Sequence, residues 1–172
     1  GLAGSGTAKA GADGAVDVNM SYETNGIYID EDGLGFSYVL GLQGNAWAAY
    51  SALGDWSPPP DLPSGGKIKF NGQYALGLLR KQSQGAPDVE RYNGTFELLA
   101  DLDAQTLTGG NSDLSVDAGI SGSDFDGSVE FRGMSGALIG KLSSEYAQGA
   151  FQGQSDAALF AGGFKANRQE DE

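Results

Sequence analysis

The sequence predicts an all-β protein: a small N-terminal antiparallel module followed by an eight-stranded, antiparallel, up-and-down soluble β-barrel. Three observations predict it. From Tyr92 to Phe164 short alternating segments are cut every eight to ten residues by Gly, Asn, Asp or Ser, the spacing of a barrel or sandwich. Within that run Leu114, Val116, Ala118 and Ile120 alternate with Ser115, Asp117, Gly119 and Ser121. After Gly122-Ser123, Phe125, Val129 and Phe131 alternate with Asp124, Asp126, Ser128 and Glu130, so the pair is a hairpin with one dry face and one wet face. Finally, the 29 glycines in 172 residues follow no triplet period; they punctuate strands and mark tight turns and close approaches in a strongly curved sheet.

Along the chain, residues 1–14 are Gly, Ala and Ser with little else, the composition of a flexible leader. Residues 15–62 are expected to form the N-terminal module. Val16, Val18, Met20 and Tyr22 alternate with Asp17, Asn19, Ser21 and Glu23, and Thr24-Asn25-Gly26 reads as a turn. Ile27 to Ile29 is a short strand, Asp30-Glu31-Asp32-Gly33 a turn, and Leu34, Phe36, Tyr38, Leu40 and Leu42 another alternation. Between Asn45 and Leu53, Trp47, Tyr50 and Leu53 recur at helical spacing, which fits a short helix or an aromatic-rich loop. Pro58-Pro59-Pro60-Asp61-Leu62-Pro63 cannot donate ladder hydrogen bonds and divides the two parts.

The barrel is expected over residues 63–168, ahead of an acidic tail at 169–172. Eight strand candidates fill it: Ile68 to Leu79, Tyr92 to Leu102, Gln105 to Gly109, Leu114 to Ile120, Phe125 to Phe131, Ala137 to Ser143, Tyr146 to Gln152 and Phe160 to Ala166. Eight antiparallel strands abolish exposed edges and leave an interior just wide enough for side chains or one small ligand. Tyr74, Leu76, Phe96, Leu98, Ile120, Phe125, Val129, Phe131, Leu142, Phe151 and Phe164 are the candidates to fill it. The longest connection, Lys81 to Arg91, is rich in Gln, Ser, Gly and Pro and is expected to be mobile.

Composition excludes several functions. With neither Cys nor His, thiolate nucleophiles, ordinary zinc sites and the commonest general base are all absent. A formal net charge of -13 opposes nucleic acid and anionic membranes and favours a basic protein partner. No stretch has the ~18 apolar residues of a membrane helix, and the opening residues carry neither block of a signal peptide. The wet strand faces hold Asp117, Asp124, Asp126, Glu130 and Lys141, which fits a dry interior in water and not a barrel inserted in lipid.

Ordered motifs add a resemblance. Gly94-Thr95-Phe96 through Leu102, Thr106-Leu107-Thr108-Gly109, Ala118-Gly119-Ile120-Ser121-Gly122 with Phe125-Asp126-Gly127, Gly149-Ala150-Phe151-Gln152-Gly153 and Gly162-Gly163-Phe164 follow one another. Together they resemble the C-terminal barrel of bacterial transferrin-binding protein B, a barrel shared with factor H binding protein, haemoglobin-receptor lipoproteins and hemophilin-type haem carriers. Asp61-Leu62-Pro63-Ser64-Gly65-Gly66 before Phe70-Asn71-Gly72 is similar to the lead-in to that barrel. The resemblance covers residues 61–167 and, more faintly, the first part, which corresponds to the family's "handle". It departs from the family after Gly153, where Gln154-Ser155-Asp156-Ala157-Ala158-Leu159-Phe160-Ala161 stands in place of Pro, Ala and Glu before the paired glycines. It implies a surface lipoprotein of the Gram-negative outer membrane, or a secreted protein, that binds a protein partner for iron acquisition.

Both tryptophans and four of the seven tyrosines fall in the first 56 residues. Trp47, Tyr50 and Trp56, with Arg80, Lys81 and Arg91 around the long connection, are therefore the candidate partner-binding residues. Tyr22 and Tyr38 lie on apolar strand faces and read as core. No cofactor is expected. Haem is the alternative that the family implies, and without His its ligand would be Tyr28, Tyr38 or Met20, with Met134 in a turn. Asp30-Glu31-Asp32, Asp124 and Asp126 lack EF-hand spacing and read as solvated turns, so no metal is expected. The expected function is a non-enzymatic, extracytoplasmic protein that captures a protein partner. The alternatives are a carrier of haem or lipid, or a structural surface protein.

Overall fold

The computed structural model describes residues 8–10, 22–43, 46–81 and 88–169. Among these residues twelve strands fall into two sheets. The first holds β1 (Ala8–Ala10), β2 (Tyr22–Ile29), β3 (Gly35–Gln43) and β4 (Ala46–Leu53), in the order β1-β4-β3-β2. β2, β3 and β4 are antiparallel, and β1, within the segment expected as a leader, runs parallel to β4. The second sheet is β5 (Lys67–Arg80), β6 (Asp88–Asp101), β7 (Thr106–Gly110), β8 (Leu114–Ser121), β9 (Asp124–Phe131), β10 (Met134–Leu142), β11 (Tyr146–Gln154) and β12 (Ala158–Arg168). Each pairs with its sequence neighbour, and β12 returns antiparallel to β5 to close an eight-stranded up-and-down barrel.

Two expectations in the first sheet are corrected. Thr24-Asn25-Gly26 is not a turn, because β2 runs unbroken from Tyr22 to Ile29 against β3. Gly26 is there for packing: a Cβ would lie 2.6 Å from the Tyr38 ring and 2.7 Å from the Tyr28 ring. Ala46–Leu53 is neither helix nor loop but a strand paired with β3 along its whole length. The Val16 to Ser21 alternation lies outside the described residues, as do residues 82–87 of the long connection, whose Asp88–Arg91 end is already strand β6.

The barrel interior is dry and filled. Tyr74, Phe96, Phe164 and Phe125 form one aromatic layer, with Phe96 meeting Phe164 edge-on at 5.3 Å and Phe125 stacked on it at 6.1 Å. Phe151, Phe160, Phe131 and Tyr92 form a second, with centroids 5.3–6.0 Å apart. Such pairs contribute about 0.5–1.5 kcal/mol each beyond their buried area. The eleven side chains expected inside from the sequence are all buried in this core.

The first sheet lies on the outer wall of β5, β11 and β12, where outward positions that would normally be polar are apolar: Ala75, Leu79, Leu159 and Ala161 pack against Phe36, Tyr38, Leu40 and Ala49. Polar bonds fix the register of this interface. Buried Gln148 accepts from the Gly35 amide at 2.8 Å and donates to the Gly54 carbonyl at 3.3 Å, and the Ser51 hydroxyl donates to the Phe151 carbonyl at 2.8 Å. The approach is close at Gly163, where a Cβ would stand 2.3 Å from the Gly149 carbonyl and 2.4 Å from the Phe36 ring.

Candidate functional site

The interface leaves one flank of the barrel wall uncovered, and a cleft of about 780 Å³ opens there. Its floor follows from strand register. Tyr146, Asn167, Asn71 and Glu97 stand opposite one another on β11, β12, β5 and β6, and two residues along, Lys165, Gln73 and Thr95 form a second row. Alternation turns all seven outward, while their neighbours Phe70, Phe96, Phe164 and Ala166 fill the barrel. At about 4.8 Å per strand, the row from Tyr146 to Glu97 spans about 14 Å.

The near wall is the β2–β3 hairpin tip. Asp30 Oδ1 accepts from the amides of Asp32 at 2.9 Å and Leu34 at 3.0 Å, an Asx turn. Gly33, at φ +82°, completes the turn, and its carbonyl accepts from the Trp56 amide at 3.0 Å. Trp56 is thereby held over the end of the floor, where its ring meets Tyr146 edge-on at 6.5 Å and 89°. The linker is pinned beyond that point as well: the Asp61 carboxylate accepts from the Ser144 amide at 2.8 Å and hydroxyl at 2.7 Å. These bonds, the amide first, hold its pKa below the ordinary aspartate value.

The electrostatics of the cleft are mixed. Asp30 and Asp32 line its wall, and Glu97 and Lys165 its floor. No three acidic groups among the described residues come close enough to hold a metal ion. A second cavity of about 350 Å³ adjoins it, sharing Gln73, Thr95 and Lys165 and walled by Tyr28 and Phe36. Above it β2 is the last of the described strands of its sheet, with Ile27 68% and Tyr28 38% exposed.

The six residues proposed from sequence for partner binding do not converge. Trp56 lines the cleft, but Trp47 is half-buried against the core between sheet and barrel, and Tyr50 sits on β4 opposite Val39. Arg80 pairs with Glu90 at 3.1 Å, and the Lys81 ammonium donates to the Ser155 carbonyl at 2.9 Å, both at the far end of the β5–β6 hairpin. Arg91 is exposed on β6 opposite Gly77. At that mouth the Tyr92 hydroxyl donates to Glu90, and the Arg132 guanidinium lies 4.3 Å from the Tyr92 ring centroid. The Tyr92 hydroxyl, then Arg80, lower the Glu90 pKa, and the same bond raises that of Tyr92.

Of the haem alternatives, Tyr28 and Tyr38 stack at 6.3 Å, Tyr28 exposed and Tyr38 buried, whereas Met20 lies outside the described residues. Met134 opens β10 and packs against the barrel core. The cleft residues that sequence reading missed, such as Asn71, Gln73 and Glu97, are wet-face residues of ordinary strands.

No protein-family model and no curated protein matches the chain. Solved structures do. Isotype 1 transferrin-binding protein B from serogroup B Neisseria meningitidis superposes with a TM-score of 0.55 over 88% of this chain at 13% identity. The chain has a transferrin-binding protein B-like barrel fold. An intact transferrin-binding protein B, Ap-TbpB with its N and C lobes, gives a TM-score of 0.54 over 80% of the chain at 18% identity. A Trp-to-Ala mutant of the vaccine antigen transferrin-binding protein B from Haemophilus parasuis Hp5 gives 0.52 over 78% at 17%. The chain spans about a third of the length of these three proteins, 36%, 34% and 36%. At such identities the likeness is one of fold.

Proposed function

We propose that the chain is a non-enzymatic, extracytoplasmic binding protein that captures a protein partner, in the service of iron or haem acquisition, through the junction of its N-terminal sheet and its barrel. The fold supports this reading, since its structural neighbours bear the name transferrin-binding protein. The observation that carries it is β2, the edge among the described strands, which exposes Ile27 on one face and part of Tyr28 on the other beside the acidic Asp30 to Asp32 tip. Apolar side chains beside a carboxylate-rich tip suit a partner with a basic, partly apolar patch, and the net charge of -13 steers it.

The test is capture from serum and from the producer's own culture medium by the immobilised chain, with the captured protein identified and its Kd measured. Ile27→Asp together with Tyr28→Ala is expected to weaken that Kd by about tenfold or more, and added salt to slow association. An identified partner bound equally well by the double variant would overturn the assignment of this surface.

A further inference from the structure

The cleft offers a chemistry that capture of a basic protein does not use. Its floor alternates donors and acceptors: the amides of Asn71, Gln73 and Asn167 offer both, Lys165 only donates and Glu97 only accepts. A cationic peptide would meet the Lys165 ammonium in the floor, and an anion would face Asp30, Asp32 and Glu97. A lipid would strand these polar groups without partners. What suits them is an uncharged ligand with many hydroxyls, each able to donate to a carboxylate and accept from an amide or ammonium. Tyr146, 44% exposed at the end of the row, and Trp56 beside it supply the remaining need, an aromatic surface for apolar C–H groups.

We propose that this cleft is a binding site for a neutral oligosaccharide, one sugar ring lying against Tyr146 and Trp56 and the following rings along the Asn167, Asn71 and Glu97 row. The volume of about 780 Å³ lies within the range of ligand pockets. The row of about 14 Å accommodates several linked rings. The floor is preorganised by four paired strands and the wall by the Asp30 Asx turn, so little ordering entropy opposes binding. The same hydroxyl chemistry is presented by a free glycan and by one attached to a protein. The proposal goes beyond protein capture and stands if the β2 surface proves irrelevant.

The experiment applies the whole chain to a printed array of neutral, sialylated and sulfated oligosaccharides, then titrates the best neutral one calorimetrically. The variants are Gln73→Ala, Tyr146→Ala and, on β9 away from the cleft, Glu130→Gln, each checked for an unchanged urea midpoint. Gln73→Ala removes an exposed side chain and leaves the barrel wall intact, so it serves even if Tyr146→Ala disturbs Trp56. Neutral oligosaccharides are expected to bind, Gln73→Ala and Tyr146→Ala to weaken binding by about tenfold or more, and Glu130→Gln to leave it unchanged. A glycoprotein carrying the bound glycan, before and after enzymatic deglycosylation, separates the sources: binding lost with the glycan identifies an attached chain, and binding of the free glycan alone an unattached one. No neutral glycan bound, preference for acidic glycans, or a titration indifferent to both cleft variants would each overturn the proposal.

Discussion

The Tyr38 hydroxyl is buried between the N-terminal sheet and the barrel and has no hydrogen-bond partner among the described residues. Burial above all, and then the neighbouring Tyr28, push its pKa up to about 12 from the ordinary 10.0. A group whose folded pKa is raised stabilises the fold below its unfolded value, and that contribution is lost as pH rises through the folded value. Stability is therefore expected to fall between about pH 10 and pH 12, and Tyr38→Phe to remove this residue's share of the fall. At neutral pH the same substitution deletes a buried hydroxyl that lacks a partner and keeps the stacked ring, so it is expected to stabilise by about 1 kcal/mol. Urea midpoints of both proteins at pH 7 and pH 11 check both expectations; a Tyr38→Phe protein less stable at pH 7 would show that the hydroxyl is satisfied after all. Gln148 is the converse case. Both ends of its amide are bonded across the interface, so its burial fixes register without stranding a polar atom.

Among the elements, the linker latch is the most exposed to pH. The Ser144 amide and hydroxyl hold Asp61 ionised below the ordinary range. Its contribution is thus present above the unfolded aspartate pKa and lost as pH falls through the lower folded value. Because the pair is exposed and screened, Asp61→Ala is expected to cost only about 0.5–1 kcal/mol at pH 7 and less near pH 2, measured as the urea midpoint at each pH. A difference that grew on acidification would contradict the latch. The strands themselves were legible to the extent that their two faces differ. β8, with Leu114, Val116, Ala118 and Ile120 inside and Ser and Asp outside, was readable to within a residue. β4 was not, because Ala48, Ala49, Ser51, Ala52 and Leu53 are all buried and leave no wet face to alternate with. The three-residue spacing of Trp47, Tyr50 and Leu53 then imitates a helix. The cleft was illegible for a different reason: Asp30, Trp56, Asn71, Glu97, Tyr146 and Lys165 meet only through barrel register and through the N-terminal sheet seated on the wall.

For the whole molecule, the question is whether sheet and barrel are one folding unit. Phe36, Tyr38, Leu40 and Ala49 share a buried core with Ala75, Leu79, Leu159 and Ala161. The apolar face of the sheet is buried against the barrel wall and would be exposed if the two parted, so the sheet is expected to unfold with the barrel in a single transition. The chain carries its own reporters for this. Both tryptophans, Trp47 and Trp56, precede the first barrel strand, so fluorescence reads the sheet and linker, whereas far-UV circular dichroism is dominated by the eight barrel strands. The two signals are expected to give coincident urea transitions in the natural protein. Ala161→Leu places bulk in the buried core shared with Phe36, Tyr38, Leu40 and Ala49, on the outer wall and away from the barrel interior. Overpacking of this kind costs about 1–3 kcal/mol, here at the interface between the two units. In that variant the fluorescence transition is expected to move to lower urea, ahead of the circular dichroism transition. Coincident transitions in the variant would show that the barrel cannot hold without its sheet; separate ones in the natural protein would show that the interface does not couple them.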